Sequence, residues 1–175
     1  MQVYDWQAIV KDHGPAVWQT AYRLLGNRSD TADCFQETFL GALEISRAQS
    51  VRSMSGLLVR LATTRAIDKL RQRCRREKYQ GIRQEASLAG QDEGDPSQHA
   101  ETEELTLRLR VAIGQLPAQE AKAFCLRYFN EMSYREVARE LEITTGTAGV
   151  LLHRAKTRLR ATLEDERAEI DEVSP

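Results

Sequence analysis

Apolar side chains return every three or four residues along this chain and show no sustained alternation, which is the spacing of helices and not of strands. Ile9, Val10, Val17, Ala21, Leu24 and Leu25 fall on one broad side of a first helix over residues 4–25. Gly14-Pro15 kinks that helix or divides it, and Gly26-Asn27 ends it. Ser29 is the expected N-cap of a second helix, with Asp30 and Asp33 near its positive end. This helix buries Phe35, Phe39, Leu40 and Leu43 and runs to about Ser46. After a polar stretch over 47–53, Leu57, Leu58, Leu61, Ala62, Ile67 and Leu70 predict a third helix over 54–77.

The periodicity then fails. Residues 81–100 hold Gly, Ser, Asp and Pro in no helical order, which reads as a mobile acidic linker. A structureless loop of that length inside one domain is unusual, so the chain divides into two all-α units. The expected boundaries are a first helical domain over 1–80, a flexible linker over 81–102, a second domain over 103–163 and an acidic tail over 164–175. In the second unit, Leu105, Leu109, Val111, Ala112 and Ile113 give one helix, and Pro117 is expected at the first position of the next. Phe124, Cys125, Leu126 and Phe129 are its apolar part. Ser133-Tyr-Arg-Glu136 has the form of a capping box. Val137, Ala138 and Leu141 face inward from the short helix it opens, Glu142-Ile143 makes a turn, and Thr144 caps a last helix through about Leu163.

Composition narrows the class. With 175 residues, 41% hydrophobic and 29% charged, the chain supports one domain or two small ones, and its ten Gly and four Pro exclude collagen-like and wholly disordered classes. No apolar run approaches 20 residues and the N-terminus lacks a secretory pattern, so a soluble cytoplasmic protein without membrane insertion is expected. Cys34, Cys74 and Cys125 are widely spaced, as are His13, His99 and His153, and neither set has metal-ligand spacing. Reduced, mostly buried thiols are expected, with no cofactor and no metal. There is no Gly-rich phosphate loop, no G-x-S-x-G and no H-E-x-x-H, so no catalytic residue and no small-molecule substrate are assigned.

The net charge of −1 would argue against a polyanion partner, but it conceals a segregation. Residues 1–80 carry net +5, 81–104 net −6, 105–160 net +5 and 161–175 net −5. The acidic blocks suggest segments that fold back on the basic helices and weaken their contact with a polyanion.

Two motifs follow that charge. Residues 133–163 have the form of a helix-turn-helix, whose second helix enters the major groove and reads base edges with its N-terminal residues. Those residues are Thr145, Gly146, Thr147, Ala148 and Gly149, followed by His153, Arg154, Lys156, Arg158 and Arg160 toward phosphates. A helical hairpin with a solvated basic face is the plainer alternative. The second motif is Arg65, Lys69, Arg71, Arg73, Arg75, Arg76 and Lys78 within 14 residues, offset only by Asp68 and Glu77. Such a run is ordinarily solvated surface, but its mutual repulsion would be relieved by a phosphate backbone. A third feature, Asp33, Gln36, Glu37 and Leu40 on one helix face, specifies no partner by chemistry alone.

Taken in order, these segments resemble bacterial RNA polymerase sigma factors of the extracytoplasmic-function type. Residues 30–39, D-T-A-D-C-F-Q-E-T-F, resemble the family's D-A-E-D-x-x-Q-E-T-F, and residues 58–71 resemble its L-x-x-I-A-x-N-x-x-x-D-x-x-R. Leu116-Pro117, Leu126-Arg127, Ser133-Tyr134, Glu136 to Ala138, Gly146-Thr147 and His153 to Ala155 resemble its minus-thirty-five reader. The resemblance implies that Asp33, Gln36, Glu37, Phe39 and Leu40 bind core RNA polymerase at the clamp helices of its largest subunit, with a second contact on the flap of the second-largest. It implies minus-ten DNA contacts by Arg60, Thr63, Thr64, Arg65, Lys69, Arg71, Gln72, Arg73, Arg75 and Arg76. For the minus-thirty-five element it implies Ser133, Tyr134, Arg135, Thr144, Thr145, Gly146, Thr147, Ala148, Gly149, His153, Arg154, Lys156 and Arg158. It also implies an anti-sigma factor as partner. The chain departs from the pattern at Gly56, where the family usually has Trp, and at Ala148-Gly149-Val150-Leu151, where it has a basic stretch. Two other functions fit the helices: a stand-alone helix-turn-helix regulator, and a signalling adaptor with weak DNA binding.

Overall fold

The computed structural model describes residues 4–80 and 96–173, with side chains over 4–79 and 102–165. The described residues form seven helices and no strand. Helix α1 (Trp6–Leu25) starts at Asp5, whose carboxylate accepts from the N–H groups of Gln7 and Ala8. It passes through Pro15 without dividing. Lys11 and Pro15 are both exposed, so the carbonyl that loses its partner faces water. Gly26 ends it with φ 72°, a left-handed cap that glycine adopts without strain.

Helix α2 (Arg28–Ala48) follows at once. Its N-cap is Asn27, whose side chain accepts from the Asp30 N–H at 2.9 Å, and the expected cap Ser29 already lies inside the helix. Helix α3 (Met54–Gln80) runs three residues beyond the expected end. Helix α4 (Pro96–Gln115) begins within the expected linker, with Pro96 at its first position. Residues 81–95 lie outside the described ones. Helix α5 (Ala118–Tyr128) uses Pro117 as N-cap, one position earlier than expected. Helix α6 (Tyr134–Glu140) has the complete capping box of Ser133 and Glu136. Helix α7 (Thr145–Val173) continues past Leu163, so residues 164–173 extend the last helix where a tail was expected.

Three apolar clusters hold these helices. One lies within α1, α2 and α3, around Val17, Ala42, Leu57, Leu58 and Ala62, with Phe35 and Phe39 against it. A second lies within α5, α6 and α7, around Ala123, Leu126, Val137, Ala138, Ala148 and Leu152, and takes Val59 from α3. The third joins the two halves. Ala21, Leu24, Leu25, Ala66, Ile67 and Leu70 meet Ala112, Ile113, Leu116, Ala121, Cys125, Ala155 and Leu159. Burying Leu24, Ile67, Leu70 or Ile113 contributes about 1.5–3 kcal/mol each. Each helical unit thus keeps a cluster of its own, and the third cluster packs the two expected units against each other. Helix α3 carries the reason: Leu57, Leu58 and Val59 are buried in succession, more apolar circumference than one partner sheet of helices covers.

Polar bonds cross the same seam. Arg23 donates to the Phe129 carbonyl at 2.6 Å, Arg110 to the Arg23 carbonyl at 2.9 Å, and the Thr20 hydroxyl to Asn130 Oδ1 at 2.7 Å. Arg71 donates to the carbonyl of Leu116.

Candidate functional site

The first candidate surface lies on α2. Asp33, Gln36, Glu37 and Leu40 follow helical spacing and are exposed, Leu40 to 61%. The opposite side of the helix fixes them. Cys34 and Thr38 are buried, and the Thr38 hydroxyl bonds the Cys34 carbonyl at 2.7 Å. Phe39 is half-buried and packs on Phe35 at 4.9 Å, so it supports this face from beneath. Glu37 also reaches Lys69 of α3 at 2.9 Å, and that hydrogen bond raises the Lys69 pKa.

The second surface is α3. Gln72, Arg75 and Arg76 are exposed, and Arg60, Thr64, Arg65, Lys69, Arg71 and Arg73 are half-buried. Thr63 is 1% exposed, its hydroxyl has no hydrogen-bond partner, and it does not reach the surface as a DNA contact must. Much of the expected cationic repulsion is relieved inside the chain. Arg73 donates to the Leu25 carbonyl at 3.1 and 3.2 Å and lies 3.7 Å from Asp30. Arg75 donates to the Arg71 carbonyl at 3.4 Å, and Arg60 lies 3.8 Å from Glu140. Arg65 lies across Gly41, where a Cβ would sit 2.2 Å from the guanidinium; only a glycine lets it lie so close to α2.

The third surface is the helix-turn-helix of α6 and α7. Glu142 turns the chain with φ 56°, and the Ile143 N–H bonds the Ala138 carbonyl at 2.9 Å. Thr144 caps α7 by accepting from the Thr147 N–H at 3.1 Å, and the two hydroxyls bond at 2.8 Å. Thr144, Thr145, Gly146, Thr147, His153, Arg154 and Arg158 are exposed, and Gly149 and Lys156 are half-buried. Ala148 is fully buried against α6 and offers nothing to a base edge. Ser133, Tyr134 and Arg135 are exposed at the start of α6, beside that end of α7. Arg158 Nε lies 3.0 Å from Glu120, an ion pair with poor hydrogen-bond alignment.

Several residues had no role assigned to them from the sequence. Val150 is half-exposed on the outer face of α7, the same face as Thr147 and Arg154. Arg127 lies over the Tyr134 ring at 5.6 Å and donates to the Met132 carbonyl, which ties α5 to the start of α6. The pairing of Arg23 and Arg110 with carbonyls across the seam left no local signal at all. Burial pushes the Cys34 thiol up to about 11 and raises Cys74 and Cys125 as well. Among the described residues, no three of His, Cys, Asp and Glu are grouped to hold a metal ion, and no helix is long and apolar enough to cross a membrane.

What these surfaces offer together is a set of donors for phosphates and a groove-sized helix end. The family model of sigma-70 region 2 matches residues 9–76, and that of sigma-70 region 4 matches residues 106–159. The chain is 29% identical over 169 residues to the ECF RNA polymerase sigma factor SigW of Bacillus subtilis, covering 90% of this chain and 88% of that one. It is 27% identical over 165 residues to the ECF RNA polymerase sigma factor SigE of Mycolicibacterium smegmatis. The chain belongs to the extracytoplasmic-function sigma factors. That match covers 94% of this sigma factor but 64% of the length of SigE. The fold is also that of the sigma factor RpoE from Bartonella quintana, crystallised with the anti-sigma factor NepR, at a TM-score of 0.59 and 20% identity over 93% of this chain and 98% of that one. In this sigma factor the region 2 match takes in α1, α2 and most of α3, and the region 4 match takes in the end of α4, α5, α6 and half of α7.

Proposed function

We propose that this sigma factor binds core RNA polymerase and directs transcription initiation by recognising and opening promoter DNA. The carrying observation is that both family regions are present in order and each presents an exposed face suited to its task. Polymerase docking falls to Asp33, Gln36, Glu37 and Leu40, an amphipathic patch held by Phe39. The clamp helices of the largest subunit are its expected partner, with the flap of the second-largest subunit as the contact for the second half.

Minus-ten DNA falls to α3. Gln72, Arg75 and Arg76 are exposed for the backbone, while Thr64 and Arg65 lie at the half-buried edge where an unstacked base would settle. The upstream duplex falls to the leading end of α7. Thr144, Thr145, Gly146 and Thr147 carry no charge there, and Val150 adds an apolar contact suited to a thymine methyl group. Arg154 and Lys156 follow for phosphates. The chain performs no covalent chemistry; the polymerase forms the phosphodiester bonds, which places this protein in the cytoplasm beside it. An anti-sigma factor is the expected regulator, as NepR is bound to RpoE.

In vitro transcription with purified core polymerase on genomic fragments tests this. Co-elution with core enzyme and discrete mapped start sites are expected. A chain that neither binds core nor supports a specific start overturns the reading.

A further inference from the structure

No side chain on the first two turns of α7 can hold a base edge by two hydrogen bonds at once. Residues 144–152 include no charged side chain and no amide. Thr147 is further committed. Its N–H donates to Thr144 Oγ1 at 3.1 Å, and the two hydroxyls bond at 2.8 Å. The Thr147 hydroxyl is thus tied to the cap, and its methyl group is what remains for the groove. Val150, three residues on and on the same face, is 50% exposed. The first cation on α7 is Arg154, a further turn along. Arg127 is held elsewhere, over the Tyr134 ring at 5.6 Å and bonded to the Met132 carbonyl. Arg135 stands on α6, the helix that in this motif crosses the DNA backbone and leaves the base edges to its successor.

The two glycines point the same way. A Cβ at Gly146 would meet nothing nearer than Thr144 Oγ1 at 3.9 Å, and one at Gly149 nothing nearer than the Tyr134 ring at 3.9 Å. Both distances are ordinary contacts, so packing requires neither glycine, and each weakens the helix relative to alanine. Their use lies outside the chain. A helix without side chains at these positions brings its backbone, and the short side chains beside it, closer to the floor of a groove.

We propose that the leading end of α7 reads the C5-methyl groups of pyrimidines, through Val150 and the Thr147 methyl, and so accepts 5-methylcytosine in place of thymine. This rests on the assignment of α7 to the upstream duplex. In the major groove thymine differs from cytosine by its methyl group and by an acceptor where cytosine has a donor. A threonine hydroxyl satisfies either, so Thr145 does not separate them, and the methyl group decides. Val150 and Thr147 stand about 4.5 Å apart along the helix axis. Base pairs rise by about 3.4 Å, so the two side chains meet methyl groups on neighbouring or next-neighbouring pairs.

The test begins with random-sequence duplexes selected on the full chain, which should return an element with two such thymines. Fluorescence anisotropy then compares this duplex with versions carrying uracil, cytosine or 5-methylcytosine at those positions. Uracil and cytosine should each weaken binding about threefold per position and about tenfold at both. The 5-methylcytosine duplex should bind within twofold of the thymine one. Val150→Ala should abolish the preference at one position, and Thr147→Ser, which keeps the hydroxyl, at the other. Val150→Ile should retain it, and Arg154→Ala should weaken all four duplexes alike. Gly146→Ala should raise the melting temperature yet weaken every duplex. The proposal is overturned by a selected element without thymine or no element at all, by uracil binding as tightly as thymine, or by equal affinity for cytosine and 5-methylcytosine. It is overturned as well if Val150→Ala and Thr147→Ser leave the preference intact, or if Gly146→Ala leaves binding intact. Binding is read without polymerase. A chain that shows the methyl preference but starts no transcript sinks the functional reading and not the methyl contact; one that transcribes from promoters indifferent to uracil sinks the methyl contact alone.

Discussion

Leu40 stands in solvent beside Asp33, Gln36 and Glu37, a large apolar side chain that the fold has no use for. Leu40→Asp should therefore change stability by less than about 0.5 kcal/mol. Its affinity for core polymerase should fall at least tenfold, about 1.4 kcal/mol, in a fluorescence-anisotropy titration. Equal losses in melting temperature and binding would mean that Leu40 supports the fold instead. Two neighbouring cases show the limits of reading single residues. Thr63 and Ala148 were placed at the DNA by their position in motifs, yet both are buried. For Ala148 the spacing held the answer, since Ala148, Leu152, Ala155 and Leu159 form one inward stripe. The same holds for Thr63, since Val59, Thr63, Ile67 and Leu70 follow one another at helical spacing and are all buried.

At the scale of elements, the short helix α6 depends on its cap. Seven residues form no stable helix alone, and Ser133 and Glu136 each satisfy one free N–H at its start. Ser133→Ala should cost about 0.5–2 kcal/mol in a denaturant melt. The cap also carries a pH signature. The Ser133 N–H and its hydroxyl hold the Glu136 carboxyl below its ordinary value. A lowered folded value means the stabilisation is complete above the ordinary carboxylate range and is lost as pH falls through the lowered one. Glu136→Gln should flatten that part of the acid dependence of the melting temperature, and an unchanged profile would dismiss the cap as its source. This cap was legible because both partners lie within four residues. The start of α2 was less so. Asn27 and Ser29 are both good caps, and Asn27 prevails because Gly26 has already turned the chain out of α1. The start of α4 had its signal in Pro96, hidden among Gly, Asp and Ser that argued for a linker.

For the whole molecule, the shared core sets the expectation that the halves unfold together. Both tryptophans, Trp6 and Trp18, lie in α1, so their fluorescence reports the first half while far-ultraviolet circular dichroism reports all helices. Leu116→Ala removes a buried side chain from the second half's side of the seam and should cost about 2–5 kcal/mol. Both signals should move to the same lower midpoint. If circular dichroism moves and tryptophan fluorescence does not, the halves are independent. The sequence carried the helices, the helix-turn-helix and the alternation of charge, all of which rest on local spacing. It did not carry the seam, whose bonds join residues such as Arg23 and Phe129 across 106 positions.

Those bonds also change what the basic residues are worth in salt. Arg71, Arg73 and Arg23 donate to carbonyls at or just beyond the ends of helices, where the backbone is partly negative, and Lys69, Arg60 and Arg158 lie beside carboxylates. A cation already paired with a carboxylate of its own chain displaces few ions from a phosphate when DNA arrives, and one bonded to a carbonyl keeps its charge but is held away from the phosphate by that bond. The logarithm of DNA affinity should then fall with the logarithm of salt concentration at roughly 0.9 per phosphate neutralised by a still-unpaired cation. Counting every Lys and Arg would give a steeper line. The slope of that line thus counts the cations the protein has left over for DNA.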